Sequence, residues 1–180
     1  MKQLKRPLRL LVLITVLFSA LGQVATMAGQ PGKPYQGSAD FERMKALVGT
    51  WNGKADMGDG PSEFKVEYRL VSGGSVIEES IFAGTPKEMV TMYHDRNGKL
   101  ALTHYCMLAN QPGMVLASSD PKTIKFDFDP TCGVNSKADM HMHALAITFL
   151  DSDTIVQNWQ LYQDGKAQSA HPFTLKRVKA

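Results

Sequence analysis

The sequence predicts an all-β fold: an antiparallel, up-and-down barrel of about ten strands, preceded by one short N-terminal helix. Residues 63–70 alternate strictly between apolar and charged or polar side chains, as a half-buried strand requires. Asn97-Gly98 and Asp164-Gly165 are two-residue turns of the kind that joins antiparallel neighbours. No helical pattern separates the later strands, so crossover helices between parallel strands are excluded and closure into a barrel is favoured.

The individual elements follow from turn and periodicity signals. Residues 38–48 predict the helix, because Ser38 or Asp40 can cap its first amides and Gly49 can end it. Strands are predicted from Thr50 and over residues 63–70, 76–82, 89–95, 100–106, 114–117, 123–128, 141–150, 154–162 and 167–178. The irregular link over residues 129–139 is a candidate rim or lid of a pocket.

The N-terminus has the pattern of a secretory signal. Basic residues precede an apolar run over residues 10–21, and small residues around Ala28 offer a cleavage site. We therefore expect a signal peptide over residues 1–28, a flexible leader over 29–37 and a barrel domain over 38–180. The mature protein would be periplasmic or secreted, with no stable membrane span after processing.

Charge gives no support for nucleic-acid binding. The chain has a formal net charge of +3, but four of its 20 Lys and Arg residues lie within the first nine positions. From residue 10 onward, 16 basic residues face 17 acidic ones. A basic surface for nucleic acid is therefore not expected, and the oligomeric state is left open.

The start of the first strand resembles the opening of lipocalins and the wider calycin superfamily. The resemblance is carried by Gly49-Thr50-Trp51 after a short helix, and by Arg177 on the last strand. In that superfamily the tryptophan closes the barrel floor and a basic residue packs over it. The resemblance therefore implies structural roles for Trp51 and Arg177, which also suits the stacking of a guanidinium on an indole.

Most of the mature chain is similar to a family of exported, largely uncharacterised bacterial lipocalin-like domains. The matching stretches are residues 47–51, 72–75, 84–94, 102–106, 110–112 and 141–143. This resemblance implies a barrel and carries no activity. Nitrobindin-like barrels, which bind haem through a histidine near the C-terminus, share the Gly-Thr-Trp opening. His171 is the residue offered for that role here, and the turn at 164–165 pairs it with Asn158.

Histidines and a cysteine form two candidate dyads. His141 and His143 share one strand face, as do His104 and Cys106. If both dyads converge inside the barrel, they could hold zinc or copper. The alternative is that these groups have structural or ligand-orienting roles. The turn at Asn97-Gly98 puts His104 and His94 on opposite faces of the sheet.

The two cysteines allow two states. Cys106 and Cys132 each lie at a strand end beside an irregular segment, so a disulfide between them would pin the loop over residues 129–139. Two free thiols are the alternative. A catalytic cysteine, a nucleophile elbow, a phosphate loop and a dinucleotide fingerprint gain no support from the sequence.

Three hypotheses about function remain. The first is a non-catalytic barrel that binds a small apolar or amphipathic ligand, oriented by Trp51, Tyr105, His141 and His143. The second is a barrel that binds zinc, copper or haem. The third is an envelope protein whose barrel is filled by its own side chains. The fold alone does not choose among them.

Overall fold

The structure, a computed structural model, describes residues 34–56 and 60–179. Helix α1 spans Ala39–Met44 and continues as a short 3-10 turn over Lys45–Leu47. The strands are β1 Gly49–Asp56, β2 Pro61–Val71, β3 Val76–Ile81, β4 Met89–Arg96, β5 Lys99–Tyr105, β6 Gly113–Ser119, β7 Thr123–Phe128, β8 His141–Phe149, β9 Thr154–Gln163 and β10 Lys166–Arg177.

The ten strands form a closed, up-and-down antiparallel barrel. Each strand pairs with its neighbours in the chain, and β1 pairs with β10 to complete the closure. This confirms the predicted fold class. The signal peptide expected over 1–28 and the leader residues before 34 lie outside the described residues. No helix in the described part of the chain is long and apolar enough to cross a membrane.

Helix α1 closes one end of the barrel. Its N-terminus is capped by Ser38, whose Oγ accepts a hydrogen bond from the Phe41 amide at 3.2 Å. Ser38 is held in turn by Asp95 at the end of β4, which accepts hydrogen bonds from its amide and its hydroxyl. Phe41, Met44 and Leu47 are buried against the barrel interior.

Trp51 and Arg177 form the floor beside this helix. Trp51 is fully buried, and its Nε1 donates to the Leu47 carbonyl at 2.8 Å. The Arg177 guanidinium lies 4.2 Å from the centre of the Trp51 ring and donates to the Val48 and Ala46 carbonyls. This contact is the one that the lipocalin resemblance implies.

The turn residues predict the register of the β4–β5 hairpin correctly and that of the β9–β10 hairpin incorrectly. The turn at Asn97-Gly98 gives the expected pairs, Thr91 with His104 and His94 with Ala101. Between β9 and β10 the expected pairing of Asn158 with His171 is wrong. A bulge between Ala167 and Ala170 shifts the register by one residue, so His171 faces Trp159.

Candidate functional site

A cavity of about 380 Å³ opens at the end of the barrel away from α1. Its wall is mainly apolar and aromatic, with two imidazoles and one carboxylate. The lining residues are Asp56, Ile81, Phe82, Met89, His104, Met142, Trp159, Leu161, His171 and Phe173. Asp56 and His171 are exposed, so His104 is the one buried polar side chain among these lining residues.

The His104 imidazole is the polar centre of this wall. It is 2 % exposed, and its Nδ1 lies 2.9 Å from the Thr91 hydroxyl oxygen. Its ring packs against the Trp159 indole with 4.6 Å between ring centres. Burial lowers the pKa of His104 to about 4, because a charged ring would lose its hydration. The imidazole is therefore neutral at pH 7.

His104 belongs to a row of polar side chains that crosses four consecutive strands. The register pairs Tyr68 with Glu79, Glu79 with Thr91 and Thr91 with His104. Facing residues of an antiparallel pair project to the same side and lie within contact distance. All four side chains are buried inside the barrel. We call these four residues the polar row.

Glu79 is the carboxylate at the centre of the polar row. It is fully buried, and both oxygens accept hydrogen bonds: Oε1 from the Tyr68 hydroxyl at 2.8 Å and from Gln157 Nε2, and Oε2 from the Tyr93 hydroxyl at 2.8 Å. Thr91 is a further hydrogen-bond partner. Burial raises the pKa of Glu79, while these hydrogen bonds act in the opposite direction by stabilising the carboxylate.

The two phenols beside Glu79 stay protonated. Burial, followed by repulsion from the Glu79 charge, raises the pKa of Tyr68 and of Tyr93 well above 10. Gln157 links the carboxylate to the cavity wall, because its Oε1 accepts a hydrogen bond from Trp159 Nε1 at 3.1 Å. Both ends of this network, Trp159 and His104, line the cavity.

The four residues expected to orient a ligand do not line this cavity. Trp51 lies in the barrel floor under Arg177. Tyr105 is 49 % exposed and, next to His104 on β5, projects to the other face. His141 and His143 flank Met142, which does line the cavity, so the two imidazoles lie outside it.

A bulge in β8 explains the position of the two histidines. The register against β9 shifts between Met142 and Ala144. Leu145 is buried, so strict alternation along β8 would place the side chains of His143 and His141 on the inner face as well. The additional residue of the bulge places both side chains on the outer face instead. They still share a face, as predicted.

On that outer face the imidazoles join an aromatic stack. His143 lies parallel to Tyr162, with 3.7 Å between ring centres, and parallel to Phe128 at 5.0 Å. His141 Nδ1 donates to the Asp139 carbonyl at 2.8 Å, and its Nε2 lies 2.9 Å from His143 Nδ1. Their contacts therefore hold the loop before β8 against the barrel.

The structure does not bring together the residues of the candidate metal cluster or of the candidate disulfide. His104 and Cys106 do not meet His141 and His143, and no group of three or more His, Cys, Asp or Glu within residues 34–56 and 60–179 is placed to hold a metal ion. Cys106 and Cys132 are free thiols. The Cys106 sulfur instead lies 4.0 Å from the Met89 sulfur. His171, the residue considered for haem, lines the cavity and is exposed.

Sequence reasoning missed the polar row apart from His104. Glu79 lies between Ile77 and Ile81 in the alternation of β3, which places it inside the barrel. That pattern was available in the sequence. The donors that make its burial tolerable come from β2, β4 and β9, and only the folded barrel brings them together.

No model of a known protein family matches the chain, and no curated protein matches it. Among solved structures, the chain is similar to a protein of unknown function from the DUF3598 family of Nostoc punctiforme, with 14 % sequence identity and a TM-score of 0.46. The match covers 75 % of this chain and 49 % of the other. The chain thus spans about half the length of that protein.

Proposed function

We propose that the chain is an exported, lipocalin-like barrel that binds one small, mainly apolar molecule in the cavity beside His104 and Trp159. The observation that carries the proposal is the composition of the cavity wall: apolar and aromatic side chains surround a single buried polar group. Small-molecule sites typically combine apolar surface for affinity with a few polar groups for orientation. A volume of about 380 Å³ lies within the range of small-molecule binding sites.

The cavity also favours ligand binding over a barrel filled by its own side chains. A filled barrel of this size would leave no space for a ligand between Met142, Leu161 and Phe173. The proposed export rests on the pattern of residues 1–28. Mass spectrometry of the protein from the periplasm or medium of a producing cell tests it, and an intact N-terminus would contradict it.

Binding is tested with N-phenyl-1-naphthylamine, an apolar dye that fluoresces when it leaves water. Leu161→Trp adds bulk to the cavity wall and is expected to weaken dye binding at least tenfold. Leu150→Trp is the matched control, because Leu150 is 59 % exposed and lies away from the cavity. No dye binding to the wild type, or equal binding by both variants, would overturn the proposal.

A further inference from the structure

We infer that the ligand of this cavity carries a hydroxyl or N–H group that donates a hydrogen bond to His104 Nε2. The inference rests on the proposed function and names the class of ligand. It follows from the direction of each hydrogen bond in the network behind the cavity wall, beginning at a group that can only donate.

That group is the Trp159 indole. Its Nε1–H donates to Gln157 Oε1 at 3.1 Å, which fixes the orientation of the Gln157 amide. The amide nitrogen of Gln157 is thereby turned to the Glu79 carboxylate and the Tyr68 hydroxyl. Since an amide nitrogen only donates, the Tyr68 oxygen accepts from it and directs its own proton to Glu79.

Glu79 consequently acts only as an acceptor. The Tyr93 hydroxyl donates to its second oxygen, and Thr91, its cross-strand neighbour, is a further donor. With Glu79 ionised, the Thr91 hydroxyl is its fourth donor, after Tyr68, Gln157 and Tyr93. The Thr91 oxygen then accepts a hydrogen bond from elsewhere.

His104 supplies the hydrogen bond to Thr91. Its Nδ1 lies 2.9 Å from the Thr91 oxygen, so the proton of the neutral ring lies on Nδ1. Nε2 then carries a lone pair and no proton, and it makes no hydrogen bond to any residue in the described part of the chain. As the ring lines the cavity, this lone pair is available to a ligand.

An acceptor that faces a mainly apolar cavity without a protein partner is stabilised by a ligand that donates a hydrogen bond to it. Alcohols, phenols, indoles and similar N–H compounds are therefore favoured. Ketones, ethers and hydrocarbons of the same shape leave Nε2 unpaired. We expect about a tenfold difference in affinity, which corresponds to ~1.4 kcal/mol.

The test compares 2-naphthol with 2-methylnaphthalene, which replaces the hydroxyl by a methyl group of similar size. Their affinities are measured by displacement of N-phenyl-1-naphthylamine. The ratio of the affinities for 2-naphthol and 2-methylnaphthalene should be about tenfold higher in the wild type than in His104→Phe, which keeps an aromatic ring but has no acceptor; this comparison cancels the difference in hydrophobicity between the two compounds. The same ratio in both proteins would overturn the inference and leave the proposed function intact.

A second measurement tests the inference on the wild type alone, so it does not require His104→Phe to fold. Long-range proton–nitrogen NMR spectra of the wild type report which nitrogen of His104 carries the proton. We expect a protonated Nδ1 at pH 7, and a proton on Nε2 would overturn the inference. If Nδ1 is protonated and no compound binds, the proposed function fails, and the inference about its ligand fails with it.

Discussion

Lowering the pH from 7 to 4 is expected to cost about 3 kcal/mol of unfolding free energy through His104 alone. Burial lowers the pKa of this imidazole from 6.5 to about 4 in the folded protein, whereas the unfolded chain takes up the proton near 6.5. Between these values the unfolded state binds more protons, so stability falls as the pH falls. Each pKa unit corresponds to about 1.4 kcal/mol, and the window spans roughly 2.5 units.

Urea unfolding followed by tryptophan fluorescence at pH 7, 6, 5 and 4 measures this contribution. His104→Gln has no titrating ring, so its stability relative to the wild type should improve by about 3 kcal/mol over the same range. Glu79 contributes with the opposite sign, because its pKa is raised in the fold. Because Glu79 is present in both proteins, its contribution cancels when the unfolding free energy of His104→Gln is compared with that of the wild type.

Thr91→Val is the matched control for this experiment. It removes the hydrogen bond to Nδ1 and leaves the imidazole buried, and burial is the cause of the lowered pKa. The valine variant should therefore be less stable than the wild type and keep the His104 contribution to the pH dependence, while loss of the Thr91 donor raises the pKa of Glu79 further. If His104→Gln unfolds with the wild-type pH dependence, the argument from burial is refuted.

Three further outcomes are expected. Arg177→Ala should lower the unfolding free energy in a urea titration by about 2 kcal/mol, because a charged donor to backbone carbonyls is lost. Lys176 is exposed, so Lys176→Ala should cost less than about 0.5 kcal/mol in the same titration. Equal losses in the two variants would contradict the role of Arg177. Gly98→Ala should cost about 1 kcal/mol through its φ of 75° alone, since an added Cβ meets nothing within 4 Å; an unchanged thermal midpoint would contradict this. Ellman's reagent should label half-buried Cys132 in the native protein and buried Cys106 only on unfolding, because burial raises the pKa of the Cys106 thiol; a protein without titratable thiols in urea would instead contain the disulfide.

The barrel could be predicted because its signals are local. The alternation over residues 63–70 lies within the strand Pro61–Val71, and Asn97-Gly98 set the register of β4 and β5 correctly. Turn residues with positive φ act through a few neighbouring atoms and need no information about the rest of the fold.

The site could not be predicted to the same extent because two bulges change which side chains face inward. A bulge adds one residue to a strand without any periodic signal. The one in β8 moved His141 and His143 out of the barrel and turned Met142 toward the cavity. The one in β10 paired His171 with Trp159.

Glu79 shows a different limit. A carboxylate between two isoleucines looks unfavourable for burial, and its cost depends on donors that lie on three other strands. The distance along the chain between Glu79 and Gln157 is 78 residues. Such a partnership depends on closure of the barrel, which no local pattern describes.

The lengths of the turns between β2, β3, β4 and β5 determine whether the members of the polar row face the barrel interior together. Its four members come from β2, β3, β4 and β5, so three successive connections keep them in line. Adding or deleting one residue in the connection between β3 and β4 would turn β4 over, and Val90 or Met92 would replace Thr91 beside Glu79. Such a variant would keep the barrel but lose its selectivity among ligands. Residues that never touch a ligand would thus decide what the cavity accepts.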